Sequence, residues 1–99
     1  MAITRITVRT FQNEQHAELF LMFGKNLLEK SIQSKFKINM SIIQNQENKN
    51  QVTSIWTYDD EKHLKEVRSF LSKHSSMPNS LAPREIVYSG EVVMSSGEK

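Results

Sequence analysis

The stretch "SIWTYDDEKHLKEV", residues 54 to 67, places two chemically capable side chains close together in the sequence. Trp56 is the single tryptophan of the chain and ends a strand-like run, and His63 follows within a helix-like run. An indole ring stacks on planar molecules, and a neutral imidazole can act as a general base near pH 7. We predict that this corner borders a ligand pocket with Trp56 as its wall; the alternative is a core aromatic that anchors the sheet.

Three histidines, His16, His63 and His74, fall on the apolar faces of two predicted helices. We predict His63 and His74 as catalytic residues, aligned about three turns apart, and His16 as a substrate-binding residue. The alternative for His16 and His63 is a neutral, hydrogen-bonded ring, because cations are disfavoured in a first helical turn. His74 lies in a last turn, where a cation is favoured without any catalytic role.

Four further side chains on predicted strands carry polar groups of interest. Tyr58 and Tyr88 offer phenol donors, and we predict that both bind substrate, with local hydrogen bonding as the alternative. Arg5 and Arg9 share a strand face and can bind an anion, but we favour their pairing with Glu91 across the sheet.

Composition excludes several classes of site. The chain has no cysteine, so thiolate chemistry, disulfides and zinc–sulfur sites are absent. With three glycines and no P-loop, dinucleotide fingerprint, serine elbow or HExxH motif, we predict no cofactor and no metal. A net charge of +2 makes nucleic-acid binding unlikely on electrostatic grounds. The start "MAITRITVRTF" alternates and no apolar run is long enough to span a bilayer, which predicts a cytoplasmic protein without membrane contact.

Hydrophobic periodicity predicts one α+β domain over residues 1–95 and a flexible tail over 96–99. The element order is β-α-β-β-α-β, which gives a ferredoxin-like four-stranded antiparallel sheet with both helices on one face. The other face carries Ile and Val among polar residues and has no intrachain cover, so we predict a homodimer through this open face. The predicted strands are 3–11, 37–43, 52–58 and 85–94, with a possible bulge at Gly90, and the predicted helices follow Asn13 and Asp60.

The segment "IWTYDDEKHLKEV", with the first strand and helix and the final "REIVYSGEVV" strand, resembles the antibiotic biosynthesis monooxygenase-like, dimeric α/β-barrel proteins. The resemblance implies two subunits that pair their open sheet faces into a barrel, with a pocket in each subunit between helices and sheet. Some members oxidise aromatic polyketides without metal or organic cofactor, so a cofactor-independent oxidoreductase is implied, and Trp56 is the residue that carries over. The haem-degrading branch has an Asn on its first strand, which "TRITVRT" lacks.

The expected function is therefore binding of a planar, largely apolar small molecule, with oxidation by O₂ as the implied reaction. Two alternatives remain open: a ligand-binding protein without catalysis, and an RRM-like RNA-binding module. The RRM alternative rests on the shared element order and on Trp56 and Tyr58, which share a face of the third strand. It lacks an aromatic residue in the middle of the first strand and the Lys/Arg-Gly-aromatic pattern.

Overall fold

A computed structural model of the chain describes residues 2–74 and 79–97. The segment "SSMPNSLAPR", residues 75–84, contains both prolines of the chain and is predicted from them to be a loop. This loop and the predicted tail at 96–99 lie partly outside the described residues. Four strands and two α-helices follow the predicted β-α-β-β-α-β order, which confirms the fold class. The elements are β1 (Ile3–Thr10), α1 (Glu14–Gln33), β2 (Met40–Gln44), β3 (Gln51–Tyr58), α2 (Glu61–His74), a 3₁₀ turn (Asn79–Leu81) and β4 (Arg84–Glu91).

The sheet has the strand order β2-β3-β1-β4, and every neighbouring pair is antiparallel. β1 occupies the centre, since it pairs along its whole length with β3 on one side and with β4 on the other. Each crossover helix thus connects strands that are separated by one intervening strand, as expected for two βαβ units joined by a hairpin. The register on β1 is unbroken through Gly90, so the predicted bulge is absent.

Polar side chains fix where the two helices begin. The Asn13 side chain accepts a 2.8 Å hydrogen bond from the backbone N–H of His16, and Glu14 places an acidic group in the first turn of α1. The Asp60 carboxylate accepts a 2.8 Å hydrogen bond from the backbone N–H of His63 in the same way. Both caps agree with the sequence prediction, because each satisfies a backbone donor that the helix itself leaves open.

Both helices lie on one face of the sheet, and the main apolar cluster lies beneath α1. The close approach is visible at Gly24, where an added Cβ would lie 3.0 Å from the Cδ1 atom of Ile42. Burial of such apolar side chains contributes roughly 1.5–3 kcal/mol each. Buried members of the cluster are Phe11, Ala17, Val52 and Leu81, and Phe20, Leu21, Phe23 and Ile42 pack against them.

Two predicted strand ends are wrong by three residues, and the other ends agree with the structure to within one residue. β2 begins at Met40 rather than at residue 37, because the Lys37 carbonyl lies 3.0 Å from the ring Nε2 of His63 and is tied to the start of α2. β4 ends at Glu91 rather than at residue 94, because Glu91 lies opposite Ile3, the first residue of β1, so the ladder has no strand opposite the residues that follow.

Candidate functional site

Cross-strand register lines up the side chains on the helix-covered face in rows. Trp56 on β3 lies opposite Met40 on β2 and Arg5 on β1, and Arg5 lies opposite Ser89 on β4. Side chains that face each other across antiparallel strands have Cβ atoms only about 5 Å apart. The indole of Trp56 therefore lies between an apolar neighbour and a guanidinium.

A cleft opens between this face and the two helices. It consists of two adjoining cavities, of about 140 and 260 Å³, that share Arg9, Trp56 and Leu71. Small-molecule sites typically occupy ~300–1,000 Å³, so the two cavities together reach that range. The apolar end is further lined by Phe20, Phe23, Gly24, Leu27, Met40 and Ile42, and the polar end by Arg5, Thr7, Tyr58, Arg68, Glu85 and Val87.

Trp56 is half-buried at the junction of the two ends, as a pocket wall requires. Its ring lies nearly parallel to that of Tyr58, with centroids 6.2 Å apart and an interplanar angle of 12°. Both rings point towards the helices. The bare sheet face, where RRM-like modules stack bases, therefore has neither of them, and this placement argues against the RRM alternative.

Arg9 is held in place by three groups at the boundary between the two ends. Its Nε donates to Glu85 over 2.8 Å, its NH1 nitrogen donates to the Ser54 hydroxyl over 3.1 Å, and its guanidinium lies 4.9 Å from the centre of the Phe20 ring. The preference for pairing over anion binding is thus confirmed for Arg9. The predicted partner, Glu91, is wrong, because the register places Glu85 opposite Arg9 and Glu91 opposite Ile3.

Arg5 and Arg68 differ from Arg9 in their partners. Among the described residues, the ion pairs are Arg9–Glu85 and Lys37–Asp59, so neither Arg5 nor Arg68 has a carboxylate within the 4.0 Å that defines such a pair. Both line the polar end of the cleft. Within the described part of the chain, this end therefore has two guanidinium groups without a counter-ion.

Tyr58 lines the same end and is 4% exposed. Burial raises the pKa of its phenol above the usual value of 10.0, and the nearby charges of Arg5 and Arg68 only partly offset that effect. The hydroxyl is consequently protonated at neutral pH and available as a hydrogen-bond donor.

His63 is buried beside this site, but both of its ring nitrogens contact the backbone. Nδ1 accepts a 3.0 Å hydrogen bond from the Asp59 N–H, and Nε2 lies 3.0 Å from the Lys37 carbonyl. A neutral ring with its proton on Nε2 satisfies both contacts, whereas a proton on Nδ1 would face another donor. The Lys37 ammonium also donates to Asp59 over 2.7 Å and holds the pKa of that carboxyl below its usual value. His63 therefore joins the segment before β2, the end of β3 and the start of α2.

The structure does not bring the other predicted site residues to the cleft. His74 is exposed at the end of α2, where its ring lies 4.5 Å from that of Phe70. His16 lies in the first turn of α1 with its Nδ1 buried and without a hydrogen-bond partner among the described residues. Tyr88 is 69% exposed on the bare face of the sheet. Of the predicted residues, only Trp56 and Tyr58 line the cleft.

Sequence reasoning missed Arg68 and Leu71, which α2 contributes to the cleft. Arg68 falls on the outer side or the edge of the predicted helix, but its long side chain extends back over the sheet and lines the cleft. Arg68 and Leu71 are three residues apart, so they are neighbours on one side of the helix. This spacing is the sequence feature that could have indicated both as lining residues.

Within residues 2–74 and 79–97, no three His, Asp or Glu side chains converge in a way that could hold a metal ion. Neither helix in the described part of the chain combines the length and the apolar character needed to cross a bilayer.

Comparison with solved structures places the fold among known proteins. A dimeric ferredoxin-like protein from an uncultured marine organism is 14% identical, with a TM-score of 0.72 over 99% of this chain and 93% of that chain. A protein from Bacteroides thetaiotaomicron, proposed to be an antibiotic biosynthesis monooxygenase, is 13% identical, with a TM-score of 0.67 over 99% and 95% of the two chains. SnoaB, a cofactor-independent oxygenase from Streptomyces nogalater, is 10% identical, with a TM-score of 0.65 over 98% of each chain.

These identities are low, so the likeness shows a shared fold. The predicted resemblance to ferredoxin-like and antibiotic biosynthesis monooxygenase-like proteins is confirmed at that level. No protein-family model and no curated protein matches the chain.

Proposed function

We propose that this chain is a homodimeric, ferredoxin-like barrel protein that binds a planar, largely apolar small molecule in the cleft. The observation that carries the proposal is the cleft itself, with the half-buried indole of Trp56 at its centre. Leu71 and the phenyl rings of Phe20 and Phe23 supply apolar walls opposite the sheet. Such walls suit a flat, apolar ligand, because stacking and burial both favour it.

The homodimer is supported by the bare face of the sheet. Ile86 and Tyr88 are 71% and 69% exposed there, and Val92 extends the same surface beside Ile6 and Tyr88. Apolar surface of this kind on a small domain is a common site of association. The similar marine protein is described as dimeric, which agrees with this assembly.

We propose binding rather than oxygenation as the function. Among the described residues that line the cleft there is no histidine, and its carboxylate, Glu85, is engaged by Arg9. Abstraction of a proton from a bound substrate requires a free base within hydrogen-bond reach. His63 does not line the cleft, and its ring nitrogens are occupied by backbone groups.

Titration with 2-naphthamide, a neutral planar probe, tests the binding site. We expect thermal stabilisation of the wild type and a clearly smaller shift for Trp56→Phe, because the indole area against the ligand is reduced. Phe36→Leu is the matched control, since Phe36 stacks on Phe70 away from the cleft lining. This variant is expected to lose ~1–2 kcal/mol of stability but to keep the ligand-induced shift.

Two results would contradict the proposal. One is the absence of thermal stabilisation of the wild type by any planar neutral probe, which would show that the cleft does not bind such molecules. The other is an equal loss of the ligand response in Phe36→Leu and Trp56→Phe, because the effect would then follow stability alone.

A further inference from the structure

The polar end of the cleft carries an excess of positive charge. Three arginines and one glutamate line it, and Arg9 and Glu85 neutralise each other at 2.8 Å. Arg5 and Arg68 are left without a carboxylate partner among the described residues. They approach the cleft from different elements, β1 and α2, so the two charges converge from the sheet and from the helix layer.

Arg5 is the more constrained of the two. It lies on the central strand between Trp56 and Ser89, and it is half-buried. Partial removal of a guanidinium from water is unfavourable unless another group compensates for the lost hydration. Its directly opposite neighbours carry no charge, and Glu91, which shares its sheet face opposite Ile3, forms no ion pair with it, so the position is open to an anionic group of a ligand.

Most polar groups at this end are hydrogen-bond donors. The two free guanidinium groups, the protonated Tyr58 hydroxyl and the indole N–H of Trp56 all belong to residues of the lining. The carboxylate of Glu85 is already engaged. A ligand group that only accepts hydrogen bonds and carries negative charge complements this set. Guanidinium is planar and matches the two oxygens of a carboxylate in one plane.

We propose that the polar end of the cleft is an anion subsite, and that the ligand is a planar aromatic carboxylate. Its ring lies against Trp56, and its carboxylate lies between Arg5 and Arg68. This inference rests on the proposed function, since it assigns the charged end of the same ligand. A carboxylate attached directly to the ring stays near the ring plane, so one flat molecule contacts the indole and both guanidinium groups.

Paired probes that differ only in charge test the subsite: 2-naphthoate and 2-naphthamide, titrated by calorimetry at fixed ionic strength. We expect the wild type to bind the carboxylate about tenfold more tightly than the amide, as a charged hydrogen bond allows. Arg68→Gln should lower naphthoate affinity much more than amide affinity and so remove most of that preference. Lys62→Gln, which removes the same charge from an exposed position of α2 outside the cleft lining, should leave both affinities unchanged.

A substitution that is expected to raise naphthoate affinity controls for loss of the fold, because an unfolded variant would bind more weakly. Glu85→Gln removes the partner of Arg9 and should raise naphthoate affinity several-fold relative to amide affinity. Equal binding of the two probes by the wild type, or the same preference in Arg68→Gln as in the wild type, would overturn the anion subsite and leave the planar pocket intact. Failure of both probes to bind would overturn the subsite and the pocket together.

Discussion

The two faces of the sheet differ in how many charged side chains they carry. The difference is the reverse of that in an ordinary sheet with one buried face. The face beneath the helices carries four side chains that are charged at neutral pH, Arg5, Arg9, Glu85 and Glu91, whereas the bare face carries Arg84 alone. Sheets with one covered face usually place apolar residues under the cover and polar residues outside. Apolar residues of the bare face are Ile6, Val8, Ile43, Ile55, Ile86 and Tyr88.

The reason lies in how far the helices extend over the sheet. β4 is exposed almost throughout, and even Val87, which points to the helix side, is 46% exposed. The helix layer thus leaves an open strip where charged side chains keep contact with water. The bare face has a single charge, Arg84 at the start of β4, and its aliphatic side chains gain most from a second subunit. This difference supports the proposed division of the sheet, in which the covered face holds a ligand and the bare face holds a second subunit.

The largest expected effect separates the faces at two neighbouring residues of β4. Ile86→Asp puts a carboxylate on the bare face and should weaken dimerisation at least 30-fold, on the order of 2 kcal/mol or more, because the charge must be buried at the interface. Val87→Asp, one residue further on, points to the cleft and should leave the dimer intact. Sedimentation velocity over a concentration series measures both. Equal dimer dissociation constants for the two variants would refute the division between the faces.

Much of the fold could be predicted because it depends on local periodicity. Alternation in "ITRITVRT" and "VTSIWTY" assigned each side chain to a sheet face, and the structure keeps those assignments. The caps at Asn13 and Asp60 were also predicted, since each acts on its own helix. Periodicity could not give the strand ends, because β2 and β4 stop where backbone partners stop while the apolar pattern continues.

The site was predicted less completely, because it depends on what each side chain contacts. The helical pattern correctly turned His63 inward, but it could not show that the Asp59 N–H and the Lys37 carbonyl would contact its ring. It gave no indication that Arg68 would line the cleft, since periodicity reports the direction of Cβ and a long side chain can reach elsewhere. The prediction that Trp56 and Tyr58 line the pocket agrees with the structure, because strand alternation determines the sheet face to which each side chain points.

A second, smaller effect tests how closely the covered face is packed where α1 crosses β2. Alanine is favoured over glycine in a helix by ~1 kcal/mol, but the new Cβ at Gly24 would lie 3.0 Å from Cδ1 of Ile42. We expect Gly24→Ala to be close to neutral alone and to stabilise the Ile42→Val background, which lacks Cδ1, by ~0.5–1 kcal/mol. Urea unfolding of the four proteins at one concentration gives the coupling. Additive effects of the two substitutions would show that helix and sheet are not in tight contact.

The smallest effect compares the two tyrosines of the chain, Tyr58 in the cleft and Tyr88 on the bare face. Burial raises the pKa of Tyr58 in the folded protein above 10.0, so the folded state holds the phenol proton more tightly than the unfolded state does. This contribution to stability is complete below pH 10 and is lost as the pH rises through the folded-state pKa.

Tyr58→Phe should therefore reduce the decline in stability as the pH rises above 10, without removing the decline caused by other groups. Absorbance at the tyrosinate band measures the titration directly, because subtraction of the Tyr58→Phe curve from that of the wild type leaves the signal of Tyr58. A midpoint above 10.0 in the difference curve is the expected result. A midpoint at or below 10.0 would mean that the cationic groups around Tyr58 outweigh its burial, and that the polar end of the cleft is wetter than the structure indicates.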